Sequence, residues 1–395
     1  GGTWADAASN YNVGVGNYTL DAAMNEAAFN TAIGHSAGSG ITTGDYNTFM
    51  GGYAGRDLTT GGNNLAIGVN ALLTHTTGNH NIAIGNNAMT NTDAGSTSLG
   101  SGDNVFIGSD SGGGTWTDVA SSYNVAVGNY TMAAALDGAG WNTAVGSSAL
   151  NDLTTGDSNV AVGNGAGDEL TTGSNNVLIG SGTLGQNTAS TNNVAVGHNS
   201  MGGIDNTNGI QYSVAIGHSS IYGAAGTTTG IDGTVGIGYQ ALAALTTGTA
   251  NAAVGYQSLM TLTTGNNNTA FGYQALRLSD GADSDQTGIG SEALENSTSG
   301  ANTAVGSQAM KWLDDGSGNV AIGVRAMTST GADAGNTASN NVAVGRSALD
   351  DITDGNDNVV VGAYSGAVLT TGEKNVILGY AAGYQTQVLG KAVII

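Results

Sequence analysis

A five-residue phrase, NVAVG or NTAIG in its commonest forms, returns 21 times between Gly16 and Gly379, most often at a spacing of 17 residues. Such a period rules out independent globular units, because a segment this short buries an apolar face only against its neighbours. Three residues after each closing glycine stands Ala, Ser or Thr, and the next position is Leu, Met, Ile or Gly. A full repeat therefore reads as Asn159 to Asn175, NVAVGNGAGDELTTGSN. Wider spacings, such as Gly85 to Gly108 and Gly323 to Gly345, leave the next phrase undisturbed, so their extra residues read as surface loops. A longer echo, GGTWADAASNYNVGVGNYTL at Gly1 and GGTWTDVASSYNVAVGNYTM at Gly113, pairs Trp4 with Trp116 and marks 1–111 and 112–220 as a block duplication. The whole of 1–395 reads as one elongated repeat domain, with 380–395 as an end cap or an exit to a further segment.

Seventeen residues are too few for a helix pair, and Val, Ile, Ala and Gly in the phrase predict a strand of about five residues. The following TTG segment predicts the turn, with its glycine supplying a positive φ. Side chains alternate across a strand, so Val160 and Val162 are expected in the core, with Asn159, Ala161 and Gly163 on the opposite face. The middle of that second face is apolar or Gly in every copy, as in Ala32, Phe49, Ala66, Leu178 and Ile377. A solvated face would carry polar side chains there. Both faces are thus expected to be buried, the small-residue face against another copy of the chain about a common axis. Asn opens the strand in 18 of 21 copies, Ser213, Thr234 and Gln286 being the exceptions, which predicts a ladder of stacked amides. The fold class is all-β, a repetitive β-solenoid or β-roll of about 21 coils.

The phrase, with its two variable residues and following small one, resembles the head repeats of trimeric autotransporter adhesins of the YadA and haemagglutinin type. It is also similar to the NTAIG and LTTG arrays of bacteriophage long tail fibres. The resemblance spans Asn12 to Gly379. It implies a homotrimer, an extracellular, cell-surface or virion location, and attachment to a host-cell surface glycan or protein receptor. The common period of 17 is longer than that of the adhesin heads.

Composition narrows the partners. The 395 residues include 68 Gly but no Pro and no Cys, and the net charge of −22 disfavours nucleic acid and anionic membranes. Six of the seven cations lie between Arg277 and Lys391. No stretch of 18 apolar residues occurs, so membrane insertion is not expected. The start at Gly1, within a repeat, reads as part of a longer polypeptide.

No enzymatic constellation emerges. His35, His198 and His218 each follow a phrase glycine, and His75 and His80 lie near turns, which reads as variable exposed positions. Serines lack a fixed His and acid beside them, so a hydrolase triad has no support. No cofactor is expected; Asp350–Asn358 and Ser279–Asp285 are candidate Ca²⁺ loops, with a solvated loop as the alternative reading. Tyr239, Tyr256 and Tyr273 occupy one position on three successive repeats, each followed by Gln240, Gln257 or Gln274. They form a candidate glycan or receptor-contact ladder, set against simple self-stacking. Adjacent threonines at Thr59, Thr154, Thr171, Thr246, Thr263 and Thr370 raise an ice-binding alternative. Phe29, Trp116, Trp141 and Trp312 sit near the longer repeats, where core plugs and receptor-contact bulges compete, the plug reading being preferred. The expected function is a rigid shaft or adhesive region of a fibre, with a purely structural filament subunit as the other alternative.

Overall fold

The computed structural model describes residues 9–92, 100–116, 119–204, 209–223, 230–279, 283–329, 336–388 and 390–395. Trp4, residues 280–282 of the second acidic loop and much of the longer repeats lie outside these. The described chain is a parallel β-solenoid of about 21 turns with a period near 17, and no helix occurs among the described residues. Two compact units divide it: unit 1 is Gly1–His198 with Asn206–Gly209, and unit 2 is Asn199–Asp205 with Ile210–Ile395.

Unit 1 carries eleven strands, from β1 (Val13–Val15) to β11 (Val194–Val196). Unit 2 carries β12 (Val214–Ile216) to β22 (Val393–Ile394). Within each unit every strand pairs in parallel with its sequence neighbours, without slippage. Thus β9 (Val160–Val162) lays Ala161 against Leu178 of β10 (Val177–Ile179), and β14 (Ala252–Val254) lays Ala253 against Ala270 of β15 (Thr269–Phe271). Nearly all strands have three residues, fewer than the five expected, because the phrase asparagine gives its N–H to the preceding asparagine side chain and the phrase glycine already lies in a bend.

The strand faces are the reverse of the sequence expectation. Ala161 is fully buried while Val160 and Val162 are each 37% exposed. The same inversion runs through both units apart from β1, whose three residues are all exposed, with the middle residue inside and the flanking, mostly β-branched residues turned outward. The reason is volume. Each turn already sends an Asn, a small residue and one or two Leu into its interior, as with Asn142, Ala149, Leu150 and Leu153. The space left at mid-strand holds a methyl group.

Larger residues enter only where room is made. Phe49 packs where the leucine position of its own and the preceding turn is Gly55 and Gly38, Phe106 faces Gly112, and Leu178 faces Gly167. Conversely, the strand centre shrinks to Gly236 against Ile221 and to Gly288 against Leu276. This pairing of large with small keeps the interior close-packed.

The glycines divide their work differently from expectation. The TTG glycines, such as Gly156 and Gly173, are not among the residues with positive φ. They are small because a Cβ on Gly156 would overlap the Gly173 carbonyl of the next turn. Positive φ belongs instead to the phrase glycine, 146° at Gly163, and to the residue just before the strand asparagine, such as Ser158 at 58° and Asn175 at 60°.

Candidate functional site

The interior is organised around the strand asparagines. Asn159 donates its backbone N–H and one amide hydrogen to Asn142 Oδ1 at 2.9 and 3.0 Å, and its other amide hydrogen to the Gly173 carbonyl at 2.9 Å. Its own Oδ1 accepts from Asn176 N and Nδ2, both at 3.0 Å. Every side-chain donor and acceptor direction is thereby used inside the core, where an unmade bond is costly. In unit 1 the chain of bonds runs unbroken from Asn12 to Asn193. This ladder serves structure and leaves no amide for a ligand.

Outside, the surface is a set of rows running across successive turns. The Tyr239, Tyr256 and Tyr273 rings stack with centroids 5.2 and 5.4 Å apart and planes within 14°. His218 continues the stack below Tyr239 at 5.4 Å. Beside them Gln257 donates to Gln240 and Gln274 to Gln257, each at 3.1 Å. The candidate residues are therefore brought together, but with ring faces turned on one another and only edges facing outward.

Sequence reasoning missed a second aromatic row, at the position just before the strand asparagine. Tyr11, Phe29 and Tyr46 stack at 4.9 and 5.0 Å, and Tyr123 and Trp141 stack at 5.6 Å. Their φ values, from 57° to 63°, are left-handed. Elsewhere this position takes residues such as Asn63, Asp103 and Ser158, which tolerate that region, whereas a bulky ring pays a conformational penalty there. The signal was present in the sequence as aromatics directly preceding Asn12, Asn30, Asn47, Asn124 and Asn142.

The plug reading therefore holds for Trp116 alone of the four aromatics: it is fully buried against Phe106, centroids 5.7 Å apart. Phe29 and Trp141 are exposed, and Trp312 is half-buried beneath the Lys311 ammonium. His75 also departs from expectation. It takes a buried leucine position, and its ring meets Thr92 Oγ1 at 2.8 Å and Asn81 Nδ2 at 3.1 Å.

Five of the candidate TTG threonines donate their hydroxyl to a carbonyl of the next turn. Thr59 Oγ1 donates to the Thr76 carbonyl, Thr154 to Thr171, Thr171 to Thr188, Thr246 to Thr263 and Thr370 to Gln387. In the first acidic loop Asp350 faces Arg325 at 3.3 Å, and burial pushes its carboxyl above the usual range. Among the described residues no three or more His, Cys, Asp or Glu side chains gather in a metal-binding group.

The most extensive apolar feature is the outward strand face. The last residue of each of the 21 phrase strands is Val, Ile, Met, Phe or Leu, without a polar exception from Val15 to Leu378. Two outward rows of about ten side chains leave on the order of 1,000 Å² of mostly apolar surface per unit, well above an ordinary monomer patch. No protein-family model and no curated protein matches the chain.

Proposed function

We propose that the chain is the shaft or adhesive region of an extracellular or virion fibre, built from copies of itself and attaching to a cell-surface glycan or protein receptor. One observation carries the reading: a charge-free apolar row on the outside of every turn. A stripe repeating at each strand, about 4.8 Å apart, is matched along its length by the same stripe on another copy. The area per unit is comparable to the ~800 Å² that one partner contributes to a standard interface.

The seam lies on the Val and Ile face. The small-residue face first expected to form it is occupied by the chain's own core, as Ala161 and Ala253 illustrate. Three copies is the number implied by the resemblance to autotransporter heads and tail fibres. Outside the stripe the surface is acidic, which keeps assembled copies apart from one another and from anionic membranes. Receptor contact falls to the aromatic rows and loops, where repeated copies turn weak contacts into avidity.

Light scattering on the eluted protein tests the assembly. The expected mass is three times the 38.7 kDa of one chain, reduced to a single chain by Val162→Lys with Ile179→Lys. A wild-type monomer defeats the reading.

A further inference from the structure

We infer that the upper end of the Tyr123–Trp141 stack is a saccharide-binding platform, in which a neutral pyranose ring lies on the free face of Trp141. The inference deepens the glycan-attachment reading above and rests on it for its biological setting.

The end of a ladder differs from its middle. A ring inside a stack has both faces covered by neighbours about 5 Å away, so only the terminal ring offers a face to a ligand. Trp141 lies almost parallel to Tyr123, the planes differing by 9°. Its other side faces the next turn, where the same position is Ser158, whose N–H bonds to the Gly140 carbonyl at 3.0 Å. Serine does not fill the slot that a third ring would take. At 62% exposed, Trp141 is the most accessible of the described tryptophans, although its neighbour already covers one side.

The residues beside the ring are stripped of bulk. Gly138 and Gly140 precede it, and a Cβ on Gly140 would approach only the Ser122 carbonyl and Asp157 Oδ1.

The rim is polar and small. Asp157 Oδ1 accepts from Gly140 N at 2.7 Å, Ser174 Oγ accepts from Asp157 N at 2.9 Å, and Ser158 and Asn175 continue the row, both exposed. A pyranose presents an apolar C–H face to an indole and a girdle of hydroxyls to such groups, whereas a phosphate or carboxylate ligand meets a surface with no cation nearby. Among the acids and cations of unit 1, Arg56 is the one cation.

In the Tyr239 ladder, too, the accessible ring face lies at the end. Tyr239, Tyr256 and Tyr273 are 41, 44 and 49% exposed, rising toward the terminal ring, and the next turn carries Ser291 in their row. Trp141 is the stronger platform because its ring is larger and its surroundings barer.

The test titrates the full chain with neutral methyl hexopyranosides, read by tryptophan fluorescence and by saturation-transfer NMR. At least one glycoside should bind. Trp141→Ala should weaken it by about tenfold or more, in line with stacking losses seen on truncating aromatic platforms, and Trp141→Phe should retain part of it. Ser158→Trp should fill the slot and abolish the fluorescence response while leaving the fold intact, since Trp141 shows that this turn position accepts an indole. Unchanged binding in Trp141→Ala and Ser158→Trp overturns the inference. So does a response to arginine or choline with none to glycosides, which would make the site a cation platform. If the chain trimerises and holds cells but no glycoside responds, this inference falls and the fibre reading stands. If a monomer that ignores cells still binds a glycoside through Trp141, the platform stands and the fibre reading falls.

Discussion

Units 1 and 2 build the same turn but hold it together differently. In unit 1 the asparagine ladder is continuous, and the unit carries a single cation, Arg56, among fourteen of the 29 acids. Unit 2 interrupts the ladder at Ser213, Thr234 and Gln286, leaving Thr234 Oγ1 and Gln286 Nε2 buried without a partner. Around Gln286 the interior is polar in another respect, because Ser279 and Ser297 replace the leucine kept at Leu262 and Leu313.

Three ion pairs of unit 2 gather at the turns around Gln286. Arg277 bonds Glu295 at 2.8 Å, and Lys311 reaches both Glu292 at 2.5 Å and Glu295 at 3.2 Å. Three successive turns are thus clamped from outside where the inside has lost apolar contact and amide bonds. The lesson is that a turn here is stabilised by linkage to its neighbours, and that an external clamp substitutes for an internal one.

Breaking the ladder in unit 1 should have the largest effect. Asn159→Ala leaves Asn176 N and Nδ2 without their acceptor and the Gly173 carbonyl without its donor in the core, while Asn142 Oδ1 keeps the backbone N–H of residue 159. A loss of about 3 kcal/mol is expected by thermal or denaturant unfolding. Ser213→Ala in unit 2 should cost less, about 1–2 kcal/mol, because Ser213 Oγ serves the Ile231 carbonyl and the Thr234 N–H but relays no asparagine chain. Equal losses would dissolve the distinction between the units.

Mending the ladder comes next. Gln286→Asn should gain about 1 kcal/mol by removing an orphaned donor, seen as slower amide exchange at Thr287 and Thr303. A loss would mean that the longer side chain is required by its polar surroundings.

Loosening the clamp sharpens the comparison through salt. Glu295→Gln should cost about 1 kcal/mol at low ionic strength and less at high salt. Acidity reports on the same clamp. Hydrogen bonds from Lys311 and then Gln308 hold the Glu292 carboxyl below its ordinary range. A lowered folded value means stability present above the usual glutamate range and lost as pH falls through the folded value. Glu292→Gln should remove that part of the acid sensitivity.

The smallest effect has the opposite sign. Burial and then Asp152 raise the Asp168 carboxyl in unit 1, and its Oδ1 has no partner. A raised carboxyl favours the fold below its unfolded value and loses that advantage as pH rises through the folded one. Asp168→Asn should therefore stabilise by a few tenths of a kcal/mol at neutral pH and make no difference in acid.

Much of this fold was legible in the sequence because the period is strict: the turn count, the parallel stacking and the asparagine ladder all follow from residues that recur every 17 positions. The facing of the strand was not. Val160 and Val162 are more apolar than Ala161, and hydrophobicity alone sends them inward. The decisive clue was size covariation: Phe49 beside Gly55, Phe106 beside Gly112 and Gly236 after Ile221 mark the mid-strand position as sharing one volume with the leucine row. The Tyr239 ladder was readable from its spacing, whereas the exposure of Trp141 depended on a left-handed backbone that no periodicity announces.

The ladder also has a direction. Each asparagine oxygen accepts from the turn that follows it, as Asn30 does from Asn47 and Asn47 from Asn64. A completed turn therefore leaves a waiting acceptor at the growing end, aimed at residues not yet placed. A chain emerging amino terminus first from the ribosome meets its template already formed, and the repeat can zip up in the order in which it is made.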